Sequence, residues 1–250
     1  MSSTPQLAYY DFGERVTAFS TTRQGGCSTG NYAAFNINAY CGDEVAHIAA
    51  NRQALSTLLG VPERHIIMPH QTHGTTVCRI DTPPTAVIEA TDAVMTNVAG
   101  LCIGVSTADC IPILLYDADH HAACAVHAGW RGTVQRIARE AVLAMRREYL
   151  SEPSRLHAVI GPGISLESFE VGDEVYDQFS LAGFDMSAIA RRYEKWHLDL
   201  PLCNQMQLEE AGLTDIRQSG ICTYQQCDRY FSARRLGINS GRIYTAIVLR

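Results

Sequence analysis

A series of apolar segments in the middle of the chain constrains the fold more than any other feature. Residues 100–106 (GLCIGVS), 111–116 (IPILLY) and 122–128 (AACAVHA) are short, rich in aliphatic side chains and bounded by polar turns. Apolar runs of this length are typical of strands that are buried on both faces. The sequence therefore predicts a covered central sheet, with a tight polar interruption (TADC) at 107–110.

Strands and helices surround this centre without a regular alternation. Apolar side chains at helical spacing predict one helix at 45–58, capped by Asp43 and ended by Gly60, and a second helix that begins at Thr133 as its cap. The other predicted elements are strands at 15–22, 156–160 and 242–249 and a helix at 204–213. Irregular order of this kind favours an α+β fold with a mixed sheet. Since no repeat or linker is evident, we predict a single domain over 1–250.

Charge argues against nucleic acid and membranes as partners. Lys and Arg number 20 against 26 Asp and Glu, a formal net charge of −6, whereas phosphate backbones and anionic lipids attract basic surfaces. Asp109, Asp117 and Arg131 interrupt the apolar runs before they reach the roughly 18 residues of a membrane helix. The beginning of the chain has no leader pattern. We therefore expect a cytoplasmic protein whose nine cysteines are reduced thiols.

Metal-competent side chains stand where the apolar runs end. His127 lies at the end of one run, Cys110 lies in the interruption between two others, and a PHQTHG segment supplies His70 and His73. Two imidazoles and one thiolate suit Zn²⁺, and three protein ligands leave a fourth position open, as in catalytic zinc sites. The sequence thus predicts a zinc site made by Cys110, His127 and one of the two other histidines. Gly74, which permits a close backbone approach, favours His73.

Strand alternation separates His127 from a neighbouring cysteine. If 122–127 is extended, His127 and Ala125 share one face, and Cys124 points to the other. Cys124 is therefore predicted to be a core residue rather than a further ligand.

Two glycine-rich turns combine flexible backbone with an arginine. Gly129, Arg131 and Gly132 come just before the helix predicted from Thr133, where free backbone N–H groups and a guanidinium can gather around a phosphate. The RQGG segment that begins at Arg23 is a second such place. These residues are the candidate phosphate contacts.

The same side chains admit an interpretation without a metal. Cys110 could act as a nucleophile, with His127 as its base and Asp92 or Asp109 as the group that orients the histidine. Arg131 and a helix N-terminus would supply the electropositive setting that a reactive thiolate needs. Because ligation and nucleophilic attack use the same sulfur, the residues by themselves leave both interpretations open.

Beyond these local patterns, the chain resembles the YfiH/YlmD family of laccase-domain proteins in six separate motifs. They are HQTHG at 70–74, DAVMTN at 92–97, TADC at 107–110, HAGWRG at 127–132, GPGI at 161–164 and CTY…YFSARR…GR between 222 and 242. The earlier segments STTRQGG at 20–26 and FNIN at 35–38 also fit. The resemblance implies an α+β layered sandwich with mixed β-sheets and flanking helices.

This resemblance also implies an activity and a ligand set. The metal ligands become His73, Cys110 and His127, and the metal becomes zinc. The implied reaction is phosphorolysis of adenosine, inosine, guanosine or methylthioadenosine to base and ribose 1-phosphate, with an accompanying deamination of adenosine. The partners are then a small purine nucleoside and phosphate. Cys110 and His127 would stand at the catalytic centre, and Asp92 or Asp109 would move a proton.

Two other activities come with the same family. Its older description implies a copper-dependent polyphenol oxidase, or laccase, with Cu²⁺ at the site. Some of its members are linked to the editing of peptidoglycan precursors, in which case Cys110 would be the hydrolytic thiol of an amidase.

Overall fold

A computed structural model describes residues 4–250 of the chain. The strands in this range are β1 Leu7–Tyr10, β2 Val16–Thr21, β3 Ile66–Ile67, β4 Val77–Arg79, β5 Ala93–Thr96, β6 Cys102–Thr107, β7 Ile111–Asp117, β8 Ala122–Ala128, β9 Leu156–Ile160, β10 Glu170–Val171, β11 Ala190–Arg192, β12 Trp196–Leu198, β13 Asp215–Gln218 and β14 Ile243–Leu249. The apolar runs that the sequence marked as buried strands are β6, β7 and β8, and every residue in them is buried.

Helices accompany these strands at irregular intervals. They are α1 Val45–Leu59, α2 Trp130–Val134, α3 Ile137–Tyr149, α4 Asp173–Leu181, α5 Met186–Ile189, α6 Leu200–Glu210 and α7 Ala233–Leu236. Among residues 4–250, no helix combines the length and the apolar character that are needed to cross a membrane.

The strands form three sheets of mixed direction. A five-stranded sheet has the order β1-β2-β14-β6-β3, a six-stranded sheet the order β13-β9-β7-β8-β5-β4, and a small three-stranded sheet the order β10-β12-β11. Antiparallel pairs predominate, but β3 with β6, β4 with β5, and β13 with β9 are parallel. The α+β class with mixed sheets, as predicted, is confirmed.

The two larger sheets pack face to face. Leu114 and Ala125 of the six-stranded sheet share a buried cluster with Ile103 and Ile247 of the five-stranded sheet. Alternation along each strand sends one set of side chains into this layer. Fully burying an aliphatic side chain of the size of Leu or Ile contributes about 1.5–3 kcal/mol relative to exposure. The layer between the sheets is therefore a main source of stability.

Helices cover the outer faces of both sheets. Cys124 and Val126 point away from the layer between the sheets and pack with Ala141 of α3. Leu55 of α1 packs with Phe19 on the far side of the five-stranded sheet. The order is thus helix, sheet, sheet, helix, which is a layered sandwich. Cys124 is a core residue, as strand alternation predicted.

The TADC segment carries the chain from one sheet to the other. β6 belongs to the five-stranded sheet and β7 to the six-stranded sheet, so the chain changes layers within residues 108–110. Asp109 has a φ of 85°, and its carboxylate accepts hydrogen bonds from Thr223 Oγ1 at 2.7 Å and from the Arg234 backbone N–H at 2.6 Å. These contacts fix the sharp turn at residues 108–110, the crossing turn, and hold Cys110 at the edge between the layers.

The helix predicted from Thr133 is divided in two, and Thr133 does not cap it. Gly129 is the residue before α2, and the chain leaves its helical path at Arg136, with a φ of 67°, before α3 begins. The Thr133 hydroxyl accepts a hydrogen bond from Asn204 Nδ2 at 3.1 Å, and its carbonyl accepts one from Gln207 Nε2 at 3.0 Å. These buried contacts hold α2 against α6. Apolar spacing carries no signal of such a long-range contact.

Asp43 does not cap α1 either. The residue before the helix is Glu44, and no side chain caps the first turn. The Asp43 carboxylate instead accepts hydrogen bonds from Ser28 Oγ at 2.7 Å and Asn36 Nδ2 at 2.9 Å, so it fastens the loop before the helix. The predicted end is correct, because Gly60 closes α1 in the left-handed conformation.

α6 begins at Leu200 rather than at the predicted residue 204. Asp199 caps it by accepting a hydrogen bond from the Leu202 backbone N–H at 2.9 Å. Pro201 is tolerated in the first turn because the N–H groups there have no helical partner. The sequence contained both of these start signals.

Candidate metal centre

Three side chains from different parts of the fold converge at the edge of the sheet layers. His73 follows β3 in a loop, Cys110 ends the crossing turn, and His127 lies near the end of β8 on the face that points between the sheets. Their candidate ligand atoms all lie within 4.8 Å of one another. Cys110 Sγ is 3.9 Å from His73 Nε2, and the two imidazole rings meet edge to face with centroids 4.8 Å apart.

Asp92 organises two members of this group. Its carboxylate is fully buried, and Oδ1 accepts hydrogen bonds from His127 Nδ1 at 2.8 Å and from the His73 backbone N–H at 2.9 Å. Oδ2 accepts from the Gly74 backbone N–H at 2.7 Å. Since an ionised carboxylate only accepts, His127 carries its proton on Nδ1, and Nε2 is left as the ligand atom.

Asp92 and Cys110 each shift the pKa of His127, and His127 shifts the pKa of both. Desolvation raises the pKa of the Asp92 carboxyl, but the hydrogen bond and charge of His127 outweigh it and lower the pKa to about 2. Desolvation also raises the pKa of the Cys110 thiol, but His127 and His73 lower it to about 6. For His127, desolvation lowers the pKa, but Cys110 and Asp92 raise it to about 9. In the metal-free protein, the contact between the two residues therefore favours the thiolate form of Cys110 and the protonated form of His127.

Gly129 makes room for the group. A Cβ atom at this position would lie 2.7 Å from His73 Cδ2 and 3.1 Å from Cys110 Sγ. The backbone of Gly129 is extended, with a φ of −68°, so the requirement for glycine is one of space. Any side chain here would displace the His73 ring or the sulfur.

Asp109 takes no part in orienting His127. Both of its carboxylate oxygens are occupied in the crossing turn, by Thr223 and Arg234. Of the two carboxylates that the sequence offered as partners of the histidine, the structure brings Asp92 to His127. Asp92 acts on the site through that histidine, so its geometry is that of a positioning residue.

The other histidine of the PHQTHG segment is occupied elsewhere. His70 Nδ1 lies 2.6 Å from Glu89 Oε2, and the His70 ring stacks on Tyr40 with centroids 4.6 Å apart. His73, which the sequence favoured as the ligand, is the one that approaches Cys110 and His127.

The candidate phosphate contacts lie in different surroundings. Arg131 is exposed and stacks on Trp130, with 4.2 Å between its guanidinium carbon and the ring centroid. Gly132 is buried beside the Gly74 carbonyl. Arg23 donates from Nε to the Ala33 carbonyl at 2.8 Å and from Nη1 to the Cys227 carbonyl at 2.6 Å. Arg23 therefore has much of its guanidinium engaged in holding loops together.

A cavity of about 460 Å³ opens beside the three converging side chains. Ligand pockets commonly have volumes of about 300–1,000 Å³. Besides the His–Cys–His group, its lining includes Asn38, Tyr40, Gln71, Ser106 and Arg242. None of these five residues was among the site residues predicted from the sequence. The signals were present in part, since Asn38 ends the FNIN segment and Gln71 lies inside HQTHG.

Arg242 is held in the cavity wall by its own loop. Its Nη1 donates to the Ser240 carbonyl at 2.6 Å and to the Gly241 carbonyl at 3.0 Å, and its Nη2 donates to the Ile238 carbonyl at 2.8 Å. The side chain stabilises the segment before β14 and places a positive charge beside the cavity.

The donor chemistry of the group fits a metal ion. A thiolate and two imidazole nitrogens are the ligands of borderline-soft divalent ions. The thiol is already disposed to ionise, and Asp92 fixes the tautomer of His127, which is the usual outer contact of a ligating histidine. The His–Cys–His group could therefore hold a metal ion that faces the cavity.

The chain is similar in sequence and in structure to several known proteins. A family model described as multi-copper polyphenol oxidoreductase laccase matches residues 17–250. A protein of Bacteroides thetaiotaomicron named purine nucleoside phosphorylase is 44% identical over 247 residues, covering 94% of this chain and 92% of the relative. A protein of an unknown prokaryotic organism named adenosine deaminase RL5 is 40% identical, covering 94% of both. The crystal structure of Bacillus licheniformis hypothetical protein YfiH superposes with a TM-score of 0.94 at 28% identity, covering 98% of this chain and 97% of that one.

Proposed function

The chain belongs to the family described as multi-copper polyphenol oxidoreductase laccase, and we propose that it is a zinc-dependent enzyme that cleaves purine nucleosides with phosphate and also deaminates adenosine. The names of two full-length relatives, a purine nucleoside phosphorylase and an adenosine deaminase, support the two activities. The observation that carries the proposal is the convergence of His73, Cys110 and His127 on the wall of a nucleoside-sized cavity.

Zinc is the metal that this donor set favours. His73, Cys110 and His127 would hold it, and their number leaves room for a reactant. When bound, it would supply a Lewis acid that stabilises negative charge developing on the reactants. Asp92 keeps a proton on His127 Nδ1 and anchors the backbone of His73, so two ligands are oriented before any metal arrives.

The two reactions make different demands on the residues around the cavity. In phosphorolysis, a phosphate oxygen forms a bond to C1′ of the ribose while the bond from C1′ to the purine nitrogen breaks. The base leaves with the electron pair. In deamination, water adds to C6 of the purine and ammonia leaves. Both reactions require the purine ring to be held in a defined position in the cavity. Phosphorolysis also requires a cationic contact for the phosphate.

Arg131, together with the backbone of Gly129 and Gly132, is the proposed phosphate contact. Arg131 is exposed and lies two residues after Gly129, where an added Cβ atom would meet His73 and Cys110. Arg23 is a second candidate, although two of its guanidinium nitrogens already donate to carbonyl groups. Arg242 lines the cavity and adds to the local positive charge.

The proposal is tested by replacing the thiol. We expect Cys110→Ala to lose bound zinc and the phosphate-dependent release of adenine from adenosine, and to keep the circular dichroism spectrum of the parent protein. Chromatography of the products separates adenine from inosine and hypoxanthine, and so resolves the two activities. Cys78→Ala is the matched control, because Cys78 is a half-buried thiol on β4 outside the cavity lining. Undiminished release of adenine by a metal-free Cys110→Ala protein would refute the proposal.

Copper chemistry is the alternative that the family description favours. The same three residues would then bind copper, and phenols would replace nucleosides as substrates. Elemental analysis of the purified protein, together with oxygen uptake on phenols, distinguishes the two metals. Stoichiometric copper with steady oxygen uptake would replace the nucleoside proposal.

A further inference from the structure

Two stacked rings form part of the cavity wall beside the His–Cys–His group. Tyr40 and His70 have ring centroids 4.6 Å apart and planes inclined by 28°, and both residues line the cavity that also contains Cys110. Tyr40 is 47% exposed. Since His70 covers one face of its ring, the exposed area belongs to the opposite face and the edge.

The backbone beneath Tyr40 is tied to a central strand. Asn38 Oδ1 accepts a hydrogen bond from the Tyr40 backbone N–H at 2.6 Å, and Asn38 Nδ2 donates to Ser106 Oγ at 2.6 Å. Ser106 belongs to β6 and lies just before the turn that presents Cys110. The FNIN segment thus fixes the tyrosine relative to the same strand end that positions the sulfur.

The loop that carries His70 is tied to the same residue. Gln71 Nε2 donates to the Ser106 carbonyl at 2.8 Å, and Gln71 Oε1 accepts from the Ser106 backbone N–H at 2.7 Å. Glu89 Oε2 lies 2.6 Å from His70 Nδ1 and orients the ring. Ser106 therefore holds both halves of the stack. The metal-competent residues follow closely in the sequence, since His73 lies two residues after Gln71 and Cys110 lies four residues after Ser106.

We propose that the stacked pair of Tyr40 and His70 is the platform on which the purine base lies. A purine offers a flat π surface on either side, and stacking between a base and an aromatic side chain is a general, sequence-tolerant mode of recognition. The inference rests on the proposed function. It deepens that function by placing the purine base on one wall of the cavity. The reacting bonds then lie beside another part of the lining, the His–Cys–His group.

The arrangement also predicts which substrates are accepted. A stacking surface recognises the ring system rather than its substituents, so it holds adenosine, inosine and guanosine alike. The discrimination between a nucleoside and free ribose then comes from Tyr40, since ribose has no flat surface to stack. Phosphate binding is independent of the tyrosine.

The test compares three variants of the zinc-loaded protein in equilibrium binding of adenosine and in steady-state kinetics. We expect Tyr40→Ala to weaken adenosine binding and to raise the KM for adenosine about tenfold or more, with the KM for phosphate changed less than about twofold. Tyr40→Phe, which keeps the ring, should rescue most of the lost affinity. Tyr193→Ala is the matched control, because Tyr193 is also an exposed tyrosine packed on a histidine, His197, but lies outside the cavity lining.

The possible outcomes separate the platform from the function on which it rests. If the parent protein binds and cleaves adenosine and Tyr40→Ala binds it equally well, the platform is wrong and the function stands. An equal rise in KM for adenosine and phosphate would also overturn the platform, because it would indicate a general loss of structure. If the parent protein neither binds nor converts adenosine, both the function and the platform fall.

Discussion

Asp92 and His127 are joined twice. The Asp92 carboxylate accepts a hydrogen bond from His127 Nδ1 at 2.8 Å, and the Asp92 carbonyl accepts one from the His127 backbone N–H at 2.7 Å. Backbone and side chain of the histidine are therefore fixed by one residue, which lies immediately before the neighbouring strand β5. The candidate ligand atom Nε2 has little freedom left.

Because of this double contact, we predict that Asp92 influences the affinity of the site for a metal ion. We expect Asp92→Asn to lower zinc affinity about 10–100-fold, the usual effect of removing an outer partner of a ligating histidine. The amide keeps the size of the side chain but loses its charge, and its NH₂ group cannot accept from the backbone N–H of His73 or Gly74. Competition with a chromophoric chelator measures the affinity.

A surface pair provides the control for this variant. Asp215 Oδ2 lies 2.6 Å from His157 Nδ1, and both side chains are more than a third exposed. Asp215→Asn should leave zinc affinity unchanged. If Asp92→Asn also bound zinc as tightly as the parent protein, Asp92 would have no role in positioning the ligands.

Gly129 sets the space available to the ligands. We expect Gly129→Ala to reduce zinc affinity by about tenfold, on the scale of disturbed ligand orientation, because the new Cβ would lie 2.7 Å from His73 Cδ2. The backbone conformation suits alanine, so the thermal midpoint should change little. Metal content after dialysis, measured together with the melting curve, checks this. Full metal retention would show that His73 is not held as closely as the geometry indicates.

The lowered pKa of Cys110 predicts a pH-dependent reactivity in the metal-free protein. With a pKa of about 6, the sulfur is largely thiolate at pH 7 and becomes protonated as the pH falls below that value. Since only the thiolate is alkylated, the rate of iodoacetamide labelling after chelation should rise with pH and level off above about pH 7.

Two comparisons make the labelling experiment specific. Burial raises the pKa of Cys102 to about 12, so peptide mapping should find that thiol unlabelled over the same range. His127→Ala removes the largest favourable charge and should shift the Cys110 midpoint upwards. A Cys110 labelling profile with a midpoint near the ordinary thiol value of about 8.5 would contradict the thiolate–imidazolium pair.

Arg131 and Arg23 should respond differently to truncation. We expect Arg131→Ala to raise the KM for phosphate about tenfold or more, since a hydrogen bond to a charged group is worth about 1.5–3 kcal/mol. Arg23→Ala should chiefly lower the thermal midpoint, because it leaves the Ala33 and Cys227 carbonyls without their donor. Arg139→Ala, an exposed arginine on α3, serves as the control. An unchanged KM for phosphate in Arg131→Ala would remove that residue from the phosphate site.

Much of the fold followed from local patterns in the sequence. Buried strands β6, β7 and β8 were marked by aliphatic runs, and Cys124 was assigned to the core by simple alternation. The boundaries that failed were helix starts. Thr133 and Asp43 both had the residue types of caps but were bound by distant partners, and a local pattern cannot anticipate such competition.

For the site, the sequence alone determined the chemical types: two imidazoles, a thiolate, a carboxylate and arginines beside glycine turns. Tertiary structure decided which of them meet. It paired His127 with Asp92, 35 positions away, kept Asp109 in its turn, and stacked Tyr40 on His70 in a cavity wall that no motif delimited. The physical reason is that side-chain periodicity encodes which face of an element is buried. The contact between two buried faces depends on how the sheets pack across the whole chain.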